Sequence, residues 1–112
     1  MAIRMRAALT CTNEYGVITI RIAICLLEIH IPEANSLKQK RSVLQSLIKR
    51  IRNQYNVSVS EVGSQDLWQR SEIGLAAVCH TGSGADAITR RLISFIEEDG
   101  RVNVISVKQE IY

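Results

Sequence analysis

The sequence is poor in aromatic residues, has a single proline and lacks a long apolar run. Aromatic side chains make up 4% of the 112 residues, so a sheet that stacks bases on its own aromatics is not expected. No uncharged apolar run reaches the ~18 residues needed for a membrane-spanning helix, so none is predicted. One proline and six glycines argue against a disordered or linker-like chain.

Cysteine and the N-terminal residues point to a reducing compartment. The cysteines, Cys11, Cys25 and Cys79, are odd in number and lack metal-ligand spacing, so they do not form a disulfide framework. Arg4 and Arg6 resemble the start of a secretion signal, but polar residues interrupt the apolar stretch that follows. We therefore expect a cytoplasmic protein with no membrane contact.

Hydrophobic periodicity predicts the order β-α-β-β-α-β. The predicted elements are strands at 18–31, 57–63, 72–80 and 101–111 and helices at 37–55 and 86–98. This order is typical of the ferredoxin-like α+β sandwich, a four-stranded antiparallel sheet with two helices on one face. Residues 18–112 are predicted to form this single domain. Residues 1–17 are interpreted as an extension, either poorly ordered or an artefact of an upstream start.

The first predicted helix concentrates the positive charge. Ser36 and Gln39 fit a capping box at its start. Residues 36–56 contain six basic and no acidic residues, which is a charge of +6. The rest of the chain has eight basic and eleven acidic residues, a charge of −3. The overall charge of +3 is therefore the sum of one strongly basic helix and a mildly acidic remainder.

Part of this charge lies on one side of the helix. At about 100° per residue, four basic residues fall on a stripe roughly 80° wide beside the apolar face. We call Lys38, Arg41, Lys49 and Arg52 the basic stripe. Like charges at this spacing repel, so helix stability alone does not favour them. Two interpretations stay open: a phosphate-contacting surface, or a solvated face whose aliphatic stems cover the core edge. On the first, Lys40, Arg50 and Arg70 assist the stripe.

The predicted connection between the second and third strands contains the only tryptophan. Trp68 either stacks on a partner or fastens the loop to the core, with Asp66 and Arg70 paired locally. The fastening role is the favoured interpretation. Asp66 and Trp68 remain candidate contact residues of the loop.

The sheet face away from the helices is predicted to be apolar at one end. Ile20, Ile22, Ile24 and Leu26 are too hydrophobic to stay uncovered. A second copy in a homodimer, another protein or the folded-back N-terminal extension would cover them.

Catalytic signatures are not found. There is no nucleophile elbow, phosphate-binding loop or dinucleotide fingerprint, and no small-molecule substrate is identified. A metal site of Glu28, His30 and Glu72 is a weak alternative, and satisfied or solvent-facing side chains are the ordinary explanation. We expect neither enzymatic activity nor a cofactor.

Four motifs carry a family resemblance. H-I-P, S-L-K-x-K-R, N-V-S-V-x-E-V and D-L-W-Q-R lie within Leu27–Val78, and the chain over 18–111 resembles the YlxP-like family, small bacterial proteins of unknown function. Residues 36–41 and 66–70 match residue by residue, while residues 1–17 extend beyond the usual family start. The resemblance implies a ferredoxin-like fold and, in many bacteria, a gene among those for transcription elongation, translation initiation and ribosome maturation. It implies no catalytic residues.

Three functional hypotheses follow, of which the least favoured is a small enzyme that uses Glu28, His30 and Glu72, with or without a metal. The first is a non-enzymatic accessory protein that binds RNA or a ribosomal subunit through its basic helix. The alternative is a homo-oligomeric protein-interaction module that uses the apolar sheet face.

Overall fold

The computed structural model describes residues 9–112 and has the α+β architecture expected from the sequence. Its elements are β1 (Leu9–Asn13), β2 (Gly16–His30), α1 (Leu37–Gln54), β3 (Ser58–Gly63), β4 (Arg70–Cys79), α2 (Gly82–Glu97) and β5 (Asn103–Ile111). The main sheet is antiparallel, with strand order β5-β2-β4-β3. Neither helix within residues 9–112 is both long and apolar enough to cross a membrane.

The core lies between the helices and one face of the sheet. Alternate β2 side chains such as Leu27 and Ile29 are fully buried there, while Ile24 and Leu26 point to the other face and are partly exposed. The helices bury one stripe each against this layer, which in α1 is Leu44, Leu47 and Ile51 and in α2 is Leu92 and Ile96.

The main difference from expectation is at the N-terminus. Residues 9–13, interpreted from the sequence as part of an irregular extension, form β1 and pair with the first five residues of β2. The turn needs Gly16, whose φ of 126° is open to glycine but strained for other residues. Every side chain of β1 is exposed. The interpretation of residues 1–8 lies outside the described residues.

Helix α2 begins four residues earlier than expected. Gly82-Ser83-Gly84 has the composition of a turn, yet it forms the first helical turn. Thr81 makes this possible, because its Oγ1 accepts the Gly84 amide at 3.0 Å and its carbonyl accepts the Ala85 amide at 3.0 Å.

Candidate nucleic-acid interface

The start of α1 is fixed by the residues that the sequence singles out. Ser36 Oγ accepts the backbone amide of Gln39 at 3.1 Å. The Gln39 side-chain oxygen accepts the amide of Asn35 at 2.6 Å, so two amides near the helix start are satisfied reciprocally. This cap fixes where α1 begins, and the burial of Leu44, Leu47 and Ile51 sets the rotation of the helix and therefore the direction of its charged side chains.

The four residues of the basic stripe are all exposed on α1. From Lys38 to Arg52 the stripe extends about 21 Å at 1.5 Å per residue. Its C-terminal half lies beside the edge strand β3, and together they line a groove of about 450 Å³. Arg52 donates from Nη2 to the carbonyl of Val59 in β3 at 2.9 Å. Lys38, Arg41 and Lys49 form no ion pair within residues 9–112.

Lys40 is the clearest correction to the predicted site. Its side chain is 1% exposed, so it cannot assist in phosphate binding. Nζ forms an ion pair with Glu61 at 3.1 Å and donates to the carbonyls of Ser64 at 2.6 Å and Gln65 at 3.4 Å. Glu61 also accepts from the Ser71 hydroxyl. Lys40 therefore fastens the β3–β4 loop to α1.

Arg50 is already occupied by an intramolecular network. Its Nη1 donates to Asp99 at 2.8 Å, and its guanidinium lies 5.3 Å from the centre of the Phe95 ring. Side-chain hydrogen bonds from Arg101, assisted by the positive charges of Arg101 and Arg50, lower the pKa of Asp99 to about 2. Arg50 can add positive potential to the helix surface, but its donors are partly used.

Arg70 pairs with Glu28 and not with Asp66. The Arg70–Glu28 distance is 2.7 Å, across the neighbouring strands β4 and β2. The expected local pair between Asp66 and Arg70 is therefore wrong. Asp66 is exposed and belongs to none of the ion pairs found within residues 9–112.

The loop is fastened, but not by its tryptophan. Trp68 is 54% exposed, which contradicts the favoured interpretation that it anchors the loop to the core. Lys40 anchors one end. At the other end, the Gln69 side-chain amide donates to the Pro32 carbonyl at 3.1 Å and the Gln69 carbonyl accepts the Ile31 amide at 2.8 Å.

Sequence reasoning missed this use of Lys40, although a signal was present. Lys40 precedes Leu44 by four residues and Leu47 by seven, which places it on the buried side of α1. A lysine at a core position requires a partner, and the partner is too distant in sequence to infer from spacing.

The open sheet face is apolar where the sequence predicts. Ile20 is 38% exposed, and Ile22, Ile24 and Leu26 are partly exposed. Val78, beside Ile22 in β4, is 76% exposed. The described part of the N-terminal segment does not cover Ile22, Ile24 or Leu26, because β1 pairs with residues 16–20 of β2 and contacts no other element.

The polar end of the same face holds the residues of the alternative metal site. Glu28 and Glu72 are direct neighbours across β2 and β4. Glu28 accepts from Arg70 at 2.7 Å and from Ser106 at 3.4 Å. Within residues 9–112 no group of three or more potential ligands could hold a metal ion.

Comparisons with known proteins identify the family but no activity. The Uncharacterized protein YlxP of Bacillus subtilis (strain 168) is 43% identical over 65 residues, which cover 58% of this chain and 71% of that protein. A family model described as Protein of unknown function (DUF503) matches residues 22–109, from β2 to β5 without β1. Because that match spans both helices and the main sheet, the chain belongs to the DUF503 family, and its YlxP-like character is confirmed.

Proposed function

We propose that this protein is a non-enzymatic RNA-binding accessory module of the bacterial cytoplasm. It binds the phosphate backbone of a structured RNA, with ribosomal RNA as the leading candidate, through Lys38, Arg41, Lys49 and Arg52. The observation that carries the proposal is the stripe itself: four exposed cations on one flank of α1, in a helix with no acidic residue.

The free-energy cost of placing like charges close together on α1 supports a role of the basic stripe in binding. Like charges three and four residues apart destabilise a helix, and the described structure offsets this only at Arg52, which donates to Val59. Phosphates bound along the stripe would neutralise the charges that repel one another. Release of the counterions condensed on the RNA would also favour binding.

Backbone contacts dominate the proposed mode of binding. The stripe consists of lysines and arginines, which bind phosphate oxygens irrespective of sequence. The open sheet face carries no aromatic residue on its central strands β2 and β4. We therefore expect recognition by charge and shape, with strong dependence on salt concentration.

The experiment compares two double charge reversals of equal size. Arg41→Glu with Lys49→Glu changes the stripe, and Arg90→Glu with Arg91→Glu changes exposed arginines of α2. Gel-shift titration against a structured RNA, at several salt concentrations, measures affinity and its salt dependence. We expect the stripe variant to bind much more weakly, with the slope of log K against log salt reduced by about two, since each lost phosphate contact removes about one.

The α2 variant is the control, because it changes the total charge by the same amount. Equal losses in the two variants would show that net charge alone governs binding, which contradicts the proposal. Unchanged affinity in the stripe variant would also contradict it.

A second candidate function is self-association through the open sheet face. The exposed apolar side chains of β2 and β4 favour it. The face is formed by nine residues of β5, ten of β4, six of β3 and the ten of β2 that pair with β4. At about 3.3 Å per residue and about 4.8 Å between strands it covers roughly 550 Å², somewhat less than the ~800 Å² that each partner buries in a standard interface. This association would leave α1 free, so it is compatible with RNA binding.

A further inference from the structure

The β3–β4 loop holds the only tryptophan of the chain at the surface. Leu67 is 51% exposed and Trp68 is 54% exposed. These two residues line a surface depression of about 540 Å³ together with Asp66, Gln69 and Arg70. Adjacent large apolar side chains at the surface are typical of a contact site.

The loop keeps its shape without packing Trp68 into the core. Lys40 holds the carbonyl of Ser64 at 2.6 Å, and Gln69 holds the carbonyl of Pro32 at 3.1 Å. Ser64 has a φ of 56°, a left-handed conformation that costs free energy in a residue other than glycine. Strained residues of this kind cluster at binding sites when their surroundings hold them in place. The exposed indole is therefore presented by a fixed loop.

The loop shares one edge of the molecule with the basic stripe. It follows β3, which lines the groove beside Lys49 and Arg52. Lys40, in the first turn of α1, bonds to the carbonyls of Ser64 and Gln65, so the loop lies at the end of the helix where Lys38 and Arg41 begin the stripe. A polyanion that follows the stripe toward the start of α1 therefore approaches Trp68.

We propose that Trp68 is a stacking platform for an unpaired nucleobase of the RNA whose phosphates lie on the basic stripe. The inference rests on the proposed function and adds to it a preference for RNA with a bulged or looped-out nucleotide. An indole face stacks well on any base, and the adjacent cations favour a nucleic acid over an uncharged partner.

Asp66 gives this stacking platform a preference among nucleobases. Its carboxylate is exposed, lines the same depression and can accept N–H donors. Adenine presents an exocyclic amino group with two N–H donors and a two-ring face, whereas uracil presents a single N3–H and a smaller face for stacking. We expect an adenosine in the bulge to bind more tightly than a uridine.

The test uses the intrinsic fluorescence of Trp68 in the full chain. Three RNA hairpins differ only in the stem: fully paired, with one bulged adenosine, or with one bulged uridine. We expect all three to bind through the stripe, and the adenosine bulge to bind most tightly and to quench the tryptophan most strongly.

Substitutions separate stacking from charge. Trp68→Ala should weaken binding of the adenosine bulge about 5- to 150-fold, which corresponds to one stacked base, and leave the salt dependence unchanged. Trp68→Phe should retain most of the affinity. Asp66→Asn should reduce the preference for adenosine over uridine. Tyr15→Ala, at an aromatic residue that is 89% exposed in the β1–β2 turn, is the matched control and should bind like the wild type.

The outcomes distinguish this inference from the proposal on which it rests. If all three hairpins bind equally and Trp68→Ala has no effect, while the stripe variant fails to bind, the inference is overturned and the proposed function stands. Quenching by polyphosphate, which has no bases, would also overturn it. If the wild-type protein binds none of the hairpins, both proposals fail.

Discussion

At the scale of single residues, Lys40 shows how a sequence pattern can predict the wrong role for a side chain. It lies in a helix rich in basic residues, and the sequence pattern groups it with them as a phosphate contact. Its position in the helical period places it with Leu44 and Leu47, and the fold supplies Glu61 as a counterion at 3.1 Å. The local pattern could predict burial, but the identity of the partner depends on how β3 pairs and packs.

Lys40→Met is expected to destabilise the fold by about 3 kcal/mol. The methionine fills a similar volume, but it leaves Glu61 without its counterion and the Ser64 carbonyl without its donor. Urea unfolding at pH 7 measures the loss of free energy of unfolding. Lys38→Met, at an exposed position of the same helix turn, is the control and should stay within about 0.5 kcal/mol of the wild type. Equal unfolding midpoints for the two variants would contradict the assigned role.

At the scale of elements, apolar periodicity predicts the interior of a helix or strand reliably and its first and last residues less well. It places α1 within one residue of its observed bounds, because an amphipathic stripe and a capping box coincide there. It places the start of α2 four residues late, because glycine and serine are typical of turns and only the Thr81 hydroxyl identifies them as a first helical turn. A threonine three residues before a glycine is too common to predict a cap by itself.

Thr81→Ala is expected to cost about 1 kcal/mol of stability. The change removes the oxygen that accepts the Gly84 amide at 3.0 Å, and this amide has no other partner in a helix that begins at Gly82. Thermal unfolding followed by circular dichroism detects the effect. Thr81→Ser keeps the oxygen and should recover most of the stability, whereas an equal loss in both variants would show that the methyl group matters and the cap does not.

At the scale of the whole molecule, the sequence indicates the four-stranded main sheet and the concentration of positive charge on α1. It does not indicate which residues hold the β3–β4 loop in place. The order of elements follows from periodicity, and the family resemblance agrees with it. The sequence does not predict the β1–β2 hairpin, because the alternation of Leu9 and Cys11 with threonines spans only five residues and buries none of them. The placement of Trp68 was missed because the bonds that hold its loop join residues 24 or more positions apart.

If two copies associate through the open sheet face, a charge placed there should separate them. We expect the wild type to sediment as a dimer at equilibrium, and Ile24→Glu and Val78→Glu to sediment as monomers, because each buries an unpaired carboxylate in an apolar interface. Val78 is 76% exposed, so its substitution does not disturb the fold of one copy.

Val17→Glu is the matched control for this measurement. Val17 is 66% exposed and lies on the opposite face of β2, so this variant should remain dimeric. A monomeric wild type, unaffected by Ile24→Glu, would remove self-association as a function of this face.

Arg52 differs from the other cations of the stripe because the Val59 carbonyl already restrains it, at 2.9 Å. A guanidinium has five N–H donors, so Arg52 can keep this bond and still offer donors to a phosphate. A flexible lysine loses conformational entropy when it binds a ligand, whereas Arg52 has lost much of it during folding. A phosphate bound at Arg52 would therefore be the most localised one, and it would set the alignment from which the flexible Lys38 and Lys49 adapt to RNAs of different shape.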